Sequence, residues 1–207
     1  MNVHIRPAEP TATDAAAFAE LANMASHDIL ADIAGPDVEQ ALISMFLGDD
    51  TLYRSCQVWV VDVDDEVAGM LCAFTGRQKA DLTEETDRQL LARPGARSAA
   101  AVRVQNQLQP ISEFIDTVPI GAFYIQFVAV QPHARGNGYA GRLMALAEDL
   151  ARETGSTTLE LDVETDNAAA LRAYLGQGLE IARTSPEVPH DAQGRTLALH
   201  RMAKAIG

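Results

Sequence analysis

The stretch Gln131-Pro132-His133-Ala134-Arg135-Gly136-Asn137-Gly138-Tyr139-Ala140-Gly141-Arg142-Leu143-Met144 decides how the whole chain is read. It holds overlapping patterns. Gly136, Gly138 and Gly141 spell G-x-G-x-x-G, a turn that seats a dinucleotide pyrophosphate. Arg135, Gly138 and Ala140 spell R-x-x-G-x-A, a turn that seats an acyl-coenzyme A pyrophosphate. Both rest on the same physics. A helix N-terminus carries unsatisfied amides and a partial charge of about +0.5, and glycine removes the Cβ that would keep an anion off the backbone. Anion binding is the shared expectation. A bare strand-to-helix turn would use the same glycines.

Working outward, residues 121–130 (GAFYIQFVAV) read as a strand and residues 138–153 as a helix. Tyr139, Leu143, Leu146, Ala147 and Leu150 share one face of that helix, while Arg142, Asp149, Arg152 and Glu153 fall outside it. Gly155 ends it. Residues 158–164 (TLELDVE) alternate acids with aliphatics, as a strand does. Residues 167–175 form a short helix stopped by Gly176 and Gly178, 179–184 a strand, 185–195 a loop, and 196–202 a last strand.

Upstream, residues 3–6 suit a short strand ending at Pro7. Thr11 or Thr13 can cap a helix over 14–24 that turns Phe18, Leu21, Ala22 and Met24 inward. Gly35-Pro36 breaks the chain before a second helix over 37–47, with Val38, Ala41, Leu42, Met45 and Phe46 on one side. Residues 57–63 and 67–74 form a hairpin about Asp64-Asp65, ended by Gly76. Residues 77–118 are polar, with Leu82, Leu90, Leu91, Val104, Leu108, Ile111 and Ile115 at helical spacing and Arg93-Pro94-Gly95 between. They read as a helical insertion between the third and fourth strands, too short to bury a core alone. With no internal repeat and no dividing linker, one domain over 1–207 is expected.

For a dinucleotide, Glu160 and Asp162 stand about 20 residues past the last glycine, where a ribose-binding acid belongs. Against it, residues 131–135 separate strand from first glycine, the motif comes late, and the earlier strands read as a meander rather than βαβ units. The nucleotide-triphosphate loop G-x-x-x-x-G-K-[ST] is absent from the sequence. Downstream, Asn167 is a good N-cap, and Tyr174 lies two turns on along nearly the same helix face. Each has a plain structural explanation alone; the succession strand, anion-binding turn, helix, strand, Asn-capped helix, Tyr does not.

With Arg135, Gly138 and Ala140 followed by N-x-x-A-x-x-x-Y-x-x-x-G at Asn167, Ala170, Tyr174 and Gly178, the sequence resembles the GNAT superfamily of N-acetyltransferases. These motifs cover roughly residues 121–184; the order of elements extends the likeness over most of the chain outside 77–118. The resemblance implies an α/β (α+β) fold with a mixed, mostly antiparallel central sheet of about seven strands, flanked by helices. It implies acetyl-CoA as co-substrate, wedged between the strands at 121–130 and 158–164. The main chain of Val128, Ala129 and Val130 would pair with the pantetheine, and the amides of Arg135, Gly136, Asn137, Gly138, Tyr139 and Ala140 would hold the pyrophosphate. Asn167 would bond the cofactor arm, and Tyr174 would sit by the thioester sulfur as the catalytic acid. Arg135 then starts the motif, and Gly141 becomes a packing residue of the first helical turn.

The match departs at one point. Many members carry a glutamate where this chain has Gln126, which cannot act as a base. Tyr124, Glu160, Asp162, His27 and Asp28 are substitutes, although the acids of 158–164 read more simply as a solvated face. An inactive coenzyme A-binding module and an NAD(P)-binding Rossmann-type protein are the alternatives. The acceptor is read as a small, cationic primary amine or a peptide. A net charge of −13 repels nucleic acid and anionic lipid and tolerates a cation. No apolar run suits a membrane span, and the start lacks a signal peptide's apolar core, so the expected location is cytoplasmic. Cys56 and Cys72 read as half-buried reduced thiols in strands. His4, His27, His133, His190 and His200 are too scattered to suggest a metal. Because many relatives dimerise, the resemblance also admits a homodimer.

Overall fold

The structure is a computed structural model that describes residues 2–27, 29–189 and 196–207. Its strands are β1 (Val3–Pro7), β2 (Val58–Val63), β3 (Glu66–Thr75), β4 (Ala122–Val130), β5 (Thr158–Glu164), β6 (Glu180–Thr184), β7 (Val188–Pro189), β8 (Thr196–Leu197) and β9 (Leu199–Ala205). Its helices are α1 (Ala12–Ala25), α2 (Ile29–Ala34), α3 (Val38–Leu47), α4 (Gly76–Leu91), α5 (Ala99–Asp116), α6 (Tyr139–Glu153) and α7 (Ala168–Gly176). A seven-stranded sheet runs β1-β2-β3-β4-β5-β9-β6, and β7 and β8 make a separate ribbon. Every pairing in the large sheet is antiparallel except that of β4 with β5. The mixed, mostly antiparallel sheet implied by the sequence motifs is therefore what forms. A doubly wound parallel sheet is not, and the G-x-G-x-x-G spacing is an accident of overlap.

Period-2 alternation gives each face of the sheet its own core. On one face, Phe74, Tyr124, Phe127 and Ala129 meet Phe18, Leu21, Leu42 and Phe46 from α1 and α3. On the other, Phe123, Ile125, Leu159, Leu161 and Met202 meet Tyr139, Leu143, Met144 and Ala147 of α6. Each large apolar side chain buried this way contributes about 1.5–3 kcal/mol. Thr11 caps α1 by accepting the Asp14 amide at 3.2 Å. The Arg6 guanidinium then ties β1, α1 and β2 together, bonding Asp14 at 2.6 and 2.9 Å and Asp62 at 2.6 Å. Bonding to Arg6 holds the Asp14 carboxyl below its ordinary range against the opposing effect of burial.

The insertion is helical, as its spacing predicts, and it leaves and rejoins the sheet at one place. The hairpin ends at Gly76, as expected, and the same residue opens α4, with Thr75 and Gln78 forming a capping box. A Cβ on Gly76 would lie 1.9 Å from the Pro119 carbonyl oxygen, so only glycine lets the exit of β3 touch the entry to β4. Neither helix forms a core alone. Leu90 of α4 joins the α1–α3 core, while Leu108, Ile111 and Phe114 of α5 pack on Val188, Leu197 and Leu199.

Other expectations need correction. The helix α2 was not foreseen, because six residues carry too little periodicity to register. The last strand breaks at Ala198 into β8 and β9. Cys56 is exposed in a short 3-10 turn rather than half-buried in a strand; Cys72 is buried in β3, and both are free thiols.

Candidate active site

The strands β4 and β5 pair only from Ala122 with Thr158 to Ile125 with Leu161. Beyond that, β4 stays with β3 and β5 stays with β9, so the two part. The cause lies at Gln126. The β3 register steps from Ala73–Ile125 to Cys72–Phe127, leaving Gln126 as the extra residue of a bulge. The bulge resets the alternation. Tyr124 and Phe127, three apart, now share one face, and Ile125 and Val128 share the other.

The bulge also sets which main-chain groups face the gap. Gln131 donates to the Ala68 carbonyl at 2.8 Å, which makes the opposed Gly69 and Val130 a non-hydrogen-bonded pair. The amide and carbonyl of Val130 therefore point away from β3, and so do those of Val128. Ala129, between them, turns its polar groups to β3. Of the three, Val128 and Val130 present backbone to the gap. The Val130 carbonyl accepts from Arg135 Nε at 3.1 Å.

The chain then enters the loop of the opening motif. Gly136 and Gly138 have φ of +80° and +78°, conformations that favour glycine, and a Cβ on either would enter open space. Gly138 is the N-cap of α6, and the first amide with an intrahelical acceptor is that of Arg142, bonded to the Gly138 carbonyl. The amides of residues 136–141 donate to no protein acceptor among the described residues. A row of free amides over an unfilled space at a fifteen-residue helix's N-terminus fits a pyrophosphate. The side chains here are otherwise engaged: Arg135 folds back on Val130 and Met24, and Asn137 donates to the Ala134 carbonyl at 3.0 Å. Tyr139 is buried, with no partner for its hydroxyl among the described residues. Ala140 and Gly141 are exposed. Gly141 is not a packing residue; a Cβ there would meet nothing within 4 Å.

Asn167 caps α7 through its Oδ1, which accepts the Ala170 amide at 3.1 Å and leaves its NH2 group for another acceptor. Tyr174 packs on the core shared by Val128, Val130 and Leu171. Burial raises the Tyr174 phenol above its ordinary pKa of 10.0, so it stays protonated at neutral pH.

The acids of β5 are not a solvated face. Glu160 and Asp162 have side chains 9% and 7% exposed, covered by Arg201 and the end of α5. Asp162 stands opposite Arg201 in the β5–β9 register and receives its Nε at 2.5 Å and Nη2 at 2.7 Å. Arg201 also reaches Glu160 at 3.4 Å and donates to the carbonyls of Phe114, Ile115 and Thr117. The Tyr124 hydroxyl donates to Asp162 at 2.8 Å. Desolvation first, and then the Asp162 charge, push that phenol well above its ordinary range, so Tyr124 is a donor here, not a base. The third acid, Glu164, takes His27 Nδ1 at 2.7 Å, linking the turn after α1 to the end of β5. Asp28 lies outside the described residues. Among the described residues no group of three His, Cys, Asp or Glu side chains is placed to hold a metal.

The insertion adds residues that the sequence reading missed. Lys79 of α4 is 3% exposed, bonds Asp116 of α5 at 3.2 Å and lies 5.5 Å over the Tyr124 ring. Outside the insertion, Tyr53 packs on Phe127 with ring centroids 5.5 Å apart and the planes tilted by 45°. The available signal was Lys79 itself, a lysine on the same helix stripe as Leu82, Thr86 and Leu90.

Parted central strands leading to a helix N-terminus built for a pyrophosphate define a class, the proteins that transfer acyl groups from coenzyme A. Within it, the chain belongs to the acetyltransferase (GNAT) family, whose family model matches residues 26–178. That family is one of acyltransferases that use acetyl-CoA. A stretch of 58 residues is 41% identical to the mycothiol acetyltransferase of Brachybacterium faecium, covering 28% of this chain and 18% of that protein. The chain thus matches under a fifth of that curated relative's length. Among solved structures, an N-acetyltransferase from Staphylococcus aureus Mu50 is 20% identical, with a TM-score of 0.70 over 97% of this chain and 100% of that one. A Salmonella typhimurium protein solved with its cofactor acetyl-CoA is also 20% identical, with a TM-score of 0.60 over 99% and 94%. At these identities the solved structures speak to the fold. No helix among the described residues is long and apolar enough to cross a membrane.

Proposed function

We propose that the chain, acting over residues 1–207 as one N-acetyltransferase domain, moves the acetyl group of acetyl-CoA to a primary amine. The observation that carries this reading is the parting of β4 from β5 at Gln126, with Val128 and Val130 facing the gap and free amides beyond it. Acetyl-CoA supplies the activated acyl group. The backbone of Val128 and Val130 aligns its arm as an added strand would, and the amides of residues 136–140 hold its pyrophosphate; the Arg135 amide, expected to join them, donates to the Pro132 carbonyl at 3.4 Å instead. The NH2 group of Asn167 steadies the arm.

An alkyl ammonium has a pKa of about 10.4, so its free base near pH 7 is scarce by ~3 units, or roughly 4–5 kcal/mol. Gln126 accepts no proton, and Asp162 already takes bonds from Arg201 and Tyr124. The proton therefore leaves the amine through water rather than to a carboxylate in direct contact. An amide at the gap stabilises the tetrahedral oxyanion. Tyr174, kept protonated by burial, returns a proton to the departing thiolate.

Incubation with acetyl-CoA and a broad amine panel, followed as free thiol, tests the reading. Thiol release that depends on an amine is expected, together with a melting temperature raised by acetyl-CoA and not by NAD or NADP. A protein stabilised by acetyl-CoA but inert towards every amine would be a binding module. One stabilised by NAD alone would overturn the assignment of the loop.

A further inference from the structure

Resting on the acetyl-transfer reading, we infer that His27 is the proton acceptor of the reaction: Glu164 orients its imidazole at the mouth of the gap between β4 and β5, and a water links its Nε2 to the amine. The place of the ring follows from strand register. The strands β4 and β5 run parallel and last pair at Ile125 with Leu161. Val128 and Glu164, each three residues further along, stand on opposite lips of the gap, about 10 Å past that pair. The turn after α1 spans the two lips. On the β4 side, Met24 receives Arg135 Nη2 at 3.6 Å, and Arg135 Nε in turn holds the Val130 carbonyl. On the β5 side, His27 Nδ1 lies 2.7 Å from Glu164 Oε1. The Asn167 amide donates to the Glu164 carbonyl at 3.1 Å, so the same lip leads directly into α7, which carries Tyr174.

The chemistry of the pair points the same way. A carboxylate only accepts, so the bond to Glu164 fixes a proton on Nδ1. In the neutral ring Nε2 is then a bare acceptor, and it has no partner among the described residues. The His27 side chain is 54% exposed, so water reaches it, while Glu164 is 22% exposed and fixed by its strand. The carboxylate stabilises the imidazolium that forms when Nε2 takes a proton. His27 also has φ of +47°, a left-handed conformation to which Asn, Asp and His are better suited than most residues. A backbone held in that region, with its ring bonded to a strand 137 residues away, has its place dictated by the fold. The other acids of β5 do not compete. Arg201 covers Glu160 and Asp162, and Asp162 also takes the Tyr124 hydroxyl.

The proton and electron pairs balance. Nε2 takes the ammonium proton through the water, and the freed nitrogen lone pair attacks the acetyl carbon. The C–N bond forms, the C–S bond breaks, and the thiolate takes the Tyr174 proton. The nitrogen, now bonded to the acetyl carbon, passes one of its two remaining protons through water to the Tyr174 phenolate. The imidazolium returns its proton to solvent, which its exposed edge allows. Glu164 touches no reacting atom in this sequence; it is a positioning residue that acts through His27.

The test has an arm that needs no acceptor. Diethyl pyrocarbonate on the full chain, read by peptide mass spectrometry, should label His27, and saturating acetyl-CoA should slow that labelling severalfold. His4, on the edge strand β1, should label equally with and without acetyl-CoA. Labelling of His27 that ignores acetyl-CoA would overturn its place at the gap. The second arm uses the first amine of the panel that releases thiol. His27→Asn tolerates the positive φ and keeps a donor where Nδ1 stands, but it accepts no proton. Its kcat should fall at least about 10²-fold, with KM for acetyl-CoA and the melting temperature little changed. His27→Gly should regain turnover when imidazole is added, and the wild type should gain nothing. Glu164→Gln still accepts from Nδ1 without the charge, so its kcat should fall by less than that of His27→Asn, with KM for acetyl-CoA unchanged. Unchanged kcat in His27→Asn, or a loss in His27→Gly that imidazole does not relieve, would overturn His27 as the base and leave the transfer reading standing. Shielding of His27 by acetyl-CoA with no thiol release from any amine would overturn the transfer reading and the base with it.

Discussion

Replacing Arg201 with methionine removes the one cation that two buried β5 carboxylates share. The guanidinium is 1% exposed; it bonds Asp162 in a fork, reaches Glu160, and accepts no substitute from solvent. Burial, the largest single influence, would lower its pKa, yet the bond to Asp162 together with the charges of Tyr124, Asp162 and Glu160 leaves it raised. Methionine matches the length but leaves Glu160 and Asp162 as unpaired charges and strands the carbonyls of Phe114, Ile115 and Thr117 at the end of α5. Breaking a buried ion pair from one side costs about 3–5 kcal/mol; at about 2–4 °C per kcal/mol for a domain of this size, the midpoint falls by about 6–20 °C. Urea unfolding and differential scanning calorimetry measure it. Arg201→Lys should fall between, because an ammonium lacks the planar fork. Adding Asp162→Asn to Arg201→Met should cost less than the two single losses summed, by about 0.5–3 kcal/mol. A loss below about 1 kcal/mol, the value of an exposed pair, would refute the view that this network anchors the insertion to β5 and β9.

Three further outcomes are expected. Tyr174→Phe should lower kcat by about 10²-fold or more while acetyl-CoA affinity stays within about twofold; unchanged turnover would remove Tyr174 as the acid. Gly138→Ala places a side chain at φ +78°, at a strain of about 1–2 kcal/mol, and fills the space before the free amides, so KM for acetyl-CoA should rise well above its effect on stability. Asp87 is exposed, yet desolvation by the surrounding protein, and then Asp116, push its carboxyl up to about 6 against the pull of Lys79. Its folded pKa thus exceeds the unfolded value, so the folded state keeps a proton that the unfolded chain has lost. Stability from this group is present below the ordinary carboxylate range and is lost as pH rises through about 6. Asp87→Asn should therefore melt higher than wild type at pH 7.5 and match it near pH ~3.5; equal melting temperatures at pH 7.5 would contradict the shift.

How much was legible follows the range of the forces involved. Elements with strong local periodicity stood in the sequence: TLELDVE is β5 to the residue, and the apolar stripe of α6 starts at Tyr139 as its spacing predicts. The pyrophosphate loop was legible because glycines at positive φ are a local demand. The acids of β5 were misread because alternation says only that they share a face, not what covers it. The cover comes from Arg201, some forty residues away in sequence and opposite Asp162 only once β9 pairs with β5. The gap itself had no local mark. Nothing in FYIQFVAV announces that Gln126 is the extra residue of a bulge, because a bulge is defined by the register of a partner strand.

By itself, then, the sequence determined the long strands and helices, though not α2 or the break between β8 and β9, and an anion-binding turn after the fourth strand, since each depends on residues within a few positions of one another. Tertiary structure alone decided that β4 leaves β5 at Gln126 and that Arg201 covers and pairs with the β5 acids. Those facts rest on strand register and helix docking, which bring together groups tens of residues apart and which no local pattern encodes.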